Sequence, residues 1–155
     1  MNRRTLLTIV FVVAIAALPA AAKPNFSGSW KLDADRSDFG PQPPPSKMNR
    51  TIKHADPELS YTTSQDGPQG EMTTETKVST DGKEFTNQMM GMDIKGTATW
   101  EGDVLKISNK LDLGGNEVLI EEKWSLSEDG NTLTSNLLIK SPQGDFEMKI
   151  VMLKQ

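Results

Sequence analysis

The stretch Asn25-Phe26-Ser27-Gly28-Ser29-Trp30-Lys31-Leu32-Asp33 alternates at period two, with Phe26, Gly28, Trp30 and Leu32 on one face and Ser27, Ser29, Lys31 and Asp33 on the other. That alternation predicts a strand wet on one side. A large aromatic two residues from a glycine on the buried face predicts that Trp30 plugs the closed end of a small barrel, with Phe26 beside it. Gly28 would let another backbone come close. A strand built this way implies a chain that encloses something.

Working outward, the N-terminal side is not strand-like. Asn2-Arg3-Arg4 is a basic start, Leu6 to Ala17 is an uncharged apolar run, and Ala20-Ala21-Ala22 fits small-x-small cleavage before Lys23. Residues 1–22 are expected to be a signal peptide and residues 23–155 a single exported domain. The apolar run is shorter than the roughly 20 residues a spanning helix needs. Arg3-Arg4 leaves both the general and the twin-arginine export routes open. Without the leader the chain carries 15 basic and 21 acidic side chains, a formal charge of −6, which argues against a nucleic-acid partner. There is no cysteine, so an ordinary apolar core must hold about 130 residues together.

On the C-terminal side, Ala34 to Ser46 contains Pro41-Gln42-Pro43-Pro44-Pro45. Prolines this dense lack ladder donors, and the segment is expected to cross one end of the barrel as an irregular connector. From Lys47 short alternating runs follow one another every 8–12 residues, separated by turn sequences such as Asp81-Gly82, Gly102-Asp103, Gly114-Gly115-Asn116 and Asp129-Gly130-Asn131. No helical period is sustained. The expected fold is all-β, a single antiparallel up-and-down barrel of about ten strands. Outward positions carry Glu75, Lys77, Lys95, Lys106, Glu121, Lys123 and Lys149, the reverse of a barrel that faces lipid.

The sequence Phe26-x-Gly28-x-Trp30-Lys31-Leu32, with Ser37-Asp38-Phe39 after it, resembles the opening of cytosolic fatty-acid-binding proteins and the Gly-x-Trp strand of lipocalins, which together form the calycin group. Trp100-Glu101-Gly102-Asp103-Val104-Leu105-Lys106-Ile107 is similar to a strand-turn-strand of the same lipid-binding barrels. The pattern as a whole resembles exported bacterial lipocalin-like proteins. The resemblance implies an up-and-down barrel around a ligand cavity. Three departures limit it. Ala34 to Ser46 is too short and proline-rich for the helical lid of fatty-acid-binding proteins. Ile150-Val151-Met152 stands where those proteins hold a carboxylate with Arg-x-Tyr. No arginine follows Arg50 to cover the tryptophan as in lipocalins, a place Lys149 or Lys154 would have to take.

Candidate cavity residues follow from polar or adaptable side chains on inward faces. Met72, Met89 and Met148 suit an irregular apolar wall. Arg50, Tyr61, Asn87, Asn109 and Glu122 are expected to form a polar ring for a ligand head group, because a polar group on a buried face needs a partner. The lone histidine, His54, is expected at a solvated strand end, and no metal site or cofactor is indicated. The function expected is an exported, monomeric, non-catalytic carrier of a small apolar or amphipathic molecule. The alternative is a filled barrel that binds a protein, such as an inhibitor of a secreted or cell-wall enzyme. A weaker third reading is a hydrolase or isomerase, for which one inward acid is half the requirement.

Overall fold

The computed structural model describes residues 22–67, 70–89 and 91–155, so the leader expected over residues 1–22 lies, but for Ala22, outside the described residues. Ten antiparallel strands form one sheet: β1 Gly28–Leu32, β2 Met48–Ala55, β3 Glu58–Gly67, β4 Gly70–Ser79, β5 Phe85–Met89, β6 Met92–Glu101, β7 Val104–Asp112, β8 Glu117–Leu126, β9 Thr132–Lys140 and β10 Phe146–Lys154. Their order is β4-β3-β2-β1-β10-β9-β8-β7-β6-β5. Every strand lies beside its neighbour in sequence except at two places: β1 also pairs with β10, and β4 and β5 form a seam without a main-chain ladder. The only helical piece among the described residues is a single 3-10 turn at Ala34–Arg36. The expected up-and-down barrel of about ten strands without a helical lid is what the chain forms.

A side-chain amide bridges the seam. The Lys77 N–H donates to Asn87 Oδ1 and Asn87 Nδ2 donates to the Lys77 carbonyl, both at 2.8 Å. One asparagine therefore supplies the donor and acceptor that a main-chain rung would, and two backbone groups are satisfied where the ladder stops.

The alternation sets the layers. Trp30, Trp124, Phe26, Leu105, Ile107, Leu133 and Met152 are almost completely enclosed, and each such side chain stabilises the fold by about 1.5–3 kcal/mol. Outward charges pair across the wet face, as in Lys106 and Lys123 to Glu101 and Lys140 to Glu121. Val151 is an outward position that is nonetheless buried. The connector runs beside it, with the Asp33 N–H donating to the Val151 carbonyl at 2.8 Å and the Val151 N–H donating to Ser37 Oγ at 2.9 Å.

At the closed end Trp30 donates from Nε1 to the Phe26 carbonyl at 3.0 Å, and Lys154 Nζ lies 5.5 Å from its ring centroid. Lys154 thus takes the place over the tryptophan. The close neighbour of Gly28, whose φ is +139°, is a side chain and not a backbone: a Cβ there would sit 3.0 Å from Lys154 Cε. Glycine is needed for the φ as much as for the space.

Gly96 is a second tight position. A Cβ built on it would lie 2.6 Å from Phe85 Cε2 and Cζ, and closer still to Asn109 Oδ1. Overpacking of this kind costs about 1–3 kcal/mol, so Gly96→Ala is expected to lower the urea midpoint by that equivalent. An unchanged midpoint would show that Phe85 moves aside freely.

Candidate functional site

The closed half of the barrel is filled and the open half is not. A cavity of about 850 Å³ opens toward the end crossed by the connector, where Phe39, Gln42 and Pro43 to Pro45 line its mouth. Its walls come from alternating positions on neighbouring strands: Met48 and Arg50 on β2, Tyr61 and Thr63 on β3, Met72, Thr74 and Thr76 on β4. Round the other side stand Ile94, Ile120, Leu137, Met148 and Ile150. The small Thr74 and Thr76 leave room that larger residues would fill. An interior with this space differs from the solid core that the protein-binding alternative requires.

All eight residues singled out from the sequence line this cavity: Arg50, Tyr61, Met72, Asn87, Met89, Asn109, Glu122 and Met148. They do not form one ring. Arg50, Tyr61 and Glu122 come together as a compact anchor, whereas the Asn87 amide is engaged by the Lys77 main chain at the seam. Asn109 stands on β7 with its Oδ1 against Gly96.

The anchor is built across four strands. Arg50 Nε donates to Thr63 Oγ1 at 3.0 Å, and its guanidinium carbon lies 4.9 Å from the Tyr61 ring centroid and 5.1 Å from that of Trp124. The two rings lie 5.0 Å apart, tilted by 54°, and both flank the cation. Its Nη1 is 3.9 Å from Glu122 Oε1, with both side chains 9% exposed, and has no hydrogen-bond partner. Glu122 Oε1 accepts from Trp124 Nε1 at 2.5 Å and from the Ser135 hydroxyl. Burial first, and the Glu122 charge second, push the Tyr61 hydroxyl up to about 12, so it stays a neutral donor throughout the physiological range.

Sequence reading overlooked Thr63 and Ser135 as parts of the anchor, because each comes from a different strand and only the register brings them in; it also overlooked Trp124, which stands two positions from Glu122 on the same face of β8. It also misplaced His54. The imidazole is buried, not solvated, and stacks on Phe26 and Trp100 with centroids 5.6 and 5.9 Å away. Its Nδ1 accepts the Phe26 N–H at 3.3 Å, while Nε2 lies 3.7 Å from Asp56 Oδ1. Desolvation lowers the His54 pKa from its ordinary 6.5, with Asp56 opposing by hydrogen bond and charge. No group of three histidine, aspartate or glutamate side chains suited to a metal occurs among the described residues.

Strand order, one filled end and a cavity mouth crossed by the connector from β1 to β2 decide the architecture. The fold is that of the calycin barrels. Solved structures of this calycin type align along most of the chain. A secretory abundant heat soluble protein from Ramazzottius varieornatus superposes with a TM-score of 0.60 at 18% identity, over 88% of this chain and 98% of its own. The ileal bile acid-binding protein of zebrafish, complexed with cholic acid, gives 0.52 at 18% identity over 84% and 98%. The fatty-acid-binding protein of Manduca sexta gives 0.52 at 17% identity over 83% and 99%. No protein-family model matches the chain, and no curated protein sequence matches it. At these identities the likeness is one of fold.

Proposed function

We propose that the chain is an exported, non-catalytic carrier that holds one small amphipathic molecule in the barrel, with its apolar part against the methionine and isoleucine walls and its head at Arg50 and Glu122. The observation that carries this reading is a roomy, largely apolar cavity whose lining includes one buried charged pair, Arg50 and Glu122. A few polar groups set in an apolar wall are what orients the head group of a bound molecule. The methionines at Met72, Met89 and Met148 favour a ligand of irregular outline. Fold neighbours support the class: one is described with cholic acid bound and another as a fatty-acid-binding protein. Export rests on the leader pattern of residues 1–22.

Native mass spectrometry of Lys23 to Gln155, purified gently from the host's exported fraction, tests the proposal directly. The expected result is a stoichiometric small molecule, recovered by solvent extraction. A mature protein that comes off empty and also refuses apolar fluorescent dyes would defeat it.

A further inference from the structure

We propose that the anchor selects an uncharged head group that offers a hydrogen-bond acceptor and donor side by side, such as a primary alcohol or a primary amide on an apolar chain, and rejects a carboxylate. The inference rests on the carrier reading and names the ligand class for the same cavity. An arginine alone in an apolar pocket would attract a carboxylate. Here Glu122 already faces Arg50, at 3.9 Å, in a place where both side chains are nine-tenths enclosed. A ligand carboxylate would have to sit beside that of Glu122, and like charges brought together away from water repel strongly.

The rest of the lining points the same way. Arg50 is the single cation among the described residues that line the cavity, against Asp66, Glu75 and Glu122. The effect of Glu122 is already visible at Tyr61, whose ionisation it opposes. A cationic head fares no better at the inner end, since it would meet the guanidinium packed against Tyr61 and Trp124.

What the pair has left to give is donors on one side and an acceptor on the other. Arg50 Nε is engaged by Thr63 and Nη1 is enclosed beside Glu122, so Nη2 is the guanidinium nitrogen left to meet a ligand. Both hydrogen bonds that Glu122 receives land on Oε1, which leaves Oε2 to accept from a ligand. A hydroxyl or a primary amide takes a hydrogen bond from the arginine and returns one to the carboxylate, with no net charge to desolvate.

The test uses the mature wild-type protein loaded with the neutral dye Nile red and displaced, at mildly alkaline pH, by four molecules with the same chain: cetyl alcohol, palmitamide, palmitate and hexadecylamine. Cetyl alcohol or palmitamide is expected to displace the dye at least about tenfold more tightly than palmitate or hexadecylamine. Palmitate or the amine binding as well as the alcohol, or dye that neither neutral compound displaces, would overturn the inference and leave the carrier reading standing. Failure of Nile red and all four to bind would overturn both. Glu122→Gln adds a second reading. It keeps an oxygen for Trp124 and Ser135 while freeing the Arg50 charge, so palmitate should gain about tenfold over cetyl alcohol relative to wild type. If that ratio stays the same in a folded variant, Glu122 does not set the selectivity.

Discussion

Arg50→Met is expected to lower the stability of the mature protein by about 3 kcal/mol, the lower end of the range for removing one partner of a buried ion pair. The substituted side chain can still fill space on β2, so the loss is electrostatic in origin. Glu122 would remain 9% exposed with its compensating cation gone, keeping the Trp124 and Ser135 hydrogen bonds but facing an apolar neighbour. Thr63, now without Arg50 Nε, adds a second unsatisfied group. The pair is set at 3.9 Å without a direct hydrogen bond, which is why the lower end of the range applies. Adding Glu122→Gln to Arg50→Met removes the stranded charge and should recover about 1–2 kcal/mol, a coupling of the size seen for residues in one network. Urea unfolding followed by tryptophan fluorescence measures both. A single variant as stable as wild type, or a double variant that merely adds the two losses, would mean that Arg50 and Glu122 do not act as a pair.

The architecture was legible because alternation carries so much of it. Inward residues such as Met72, Ile94, Glu122 and Ile150 were assigned from period two alone, and a one-residue slip in any strand would have reversed them. Turn residues, glycine in most and Asp56-Pro57 between β2 and β3, marked where the strands from β2 onward end. What alternation does not report is which strand lies opposite which at a given height. That is why Asn87, correctly placed facing inward, was expected at a ligand when it instead bridges the seam to Lys77. The anchor suffered in the same way: Arg50 and Glu122 were visible as misfits on apolar faces, whereas Thr63 and Ser135 look like ordinary strand residues until the register brings them into contact. His54 was missed for a different reason. Its place beside the Asp56-Pro57 turn reads as exposed, and nothing local shows that Asn25 to Ser27 folds back over it, with Ser27 Oγ donating to the His54 carbonyl at 3.2 Å.

That fold-back sets up the second large effect, at Phe26. The ring is fully buried, stacked on His54 and Trp100 and set edge-on to Trp124 with centroids 5.5 Å apart. Phe26→Ala is expected to cost about 3–5 kcal/mol, because it removes a large core side chain and the rigid strands around it can close the gap only in part. It should also change how stability responds to acid. In the wild type, burial makes the folded chain bind a proton at His54 less readily than the unfolded chain does. Protonation would also turn Nδ1 from an acceptor into a donor against the Phe26 N–H. Stability is therefore fully present above the ordinary histidine value of 6.5 and declines as pH falls below it toward the folded value. The aspartates held low by hydrogen bonds to neighbours, Asp81 at about 2 and Asp129 in the same direction, lose their contribution only below the ordinary 3.8. The two windows are separate. Opening the site to water in Phe26→Ala brings His54 back toward its ordinary value, so the decline that begins below pH 6.5 should flatten in the variant while the one at stronger acid persists. Urea midpoints measured across the two windows on both proteins give the answer. A wild type with no loss of stability between the ordinary histidine value of 6.5 and the ordinary aspartate value of 3.8 would show that His54 meets water freely, and the aromatic cap at the closed end would then have no part in the acid response.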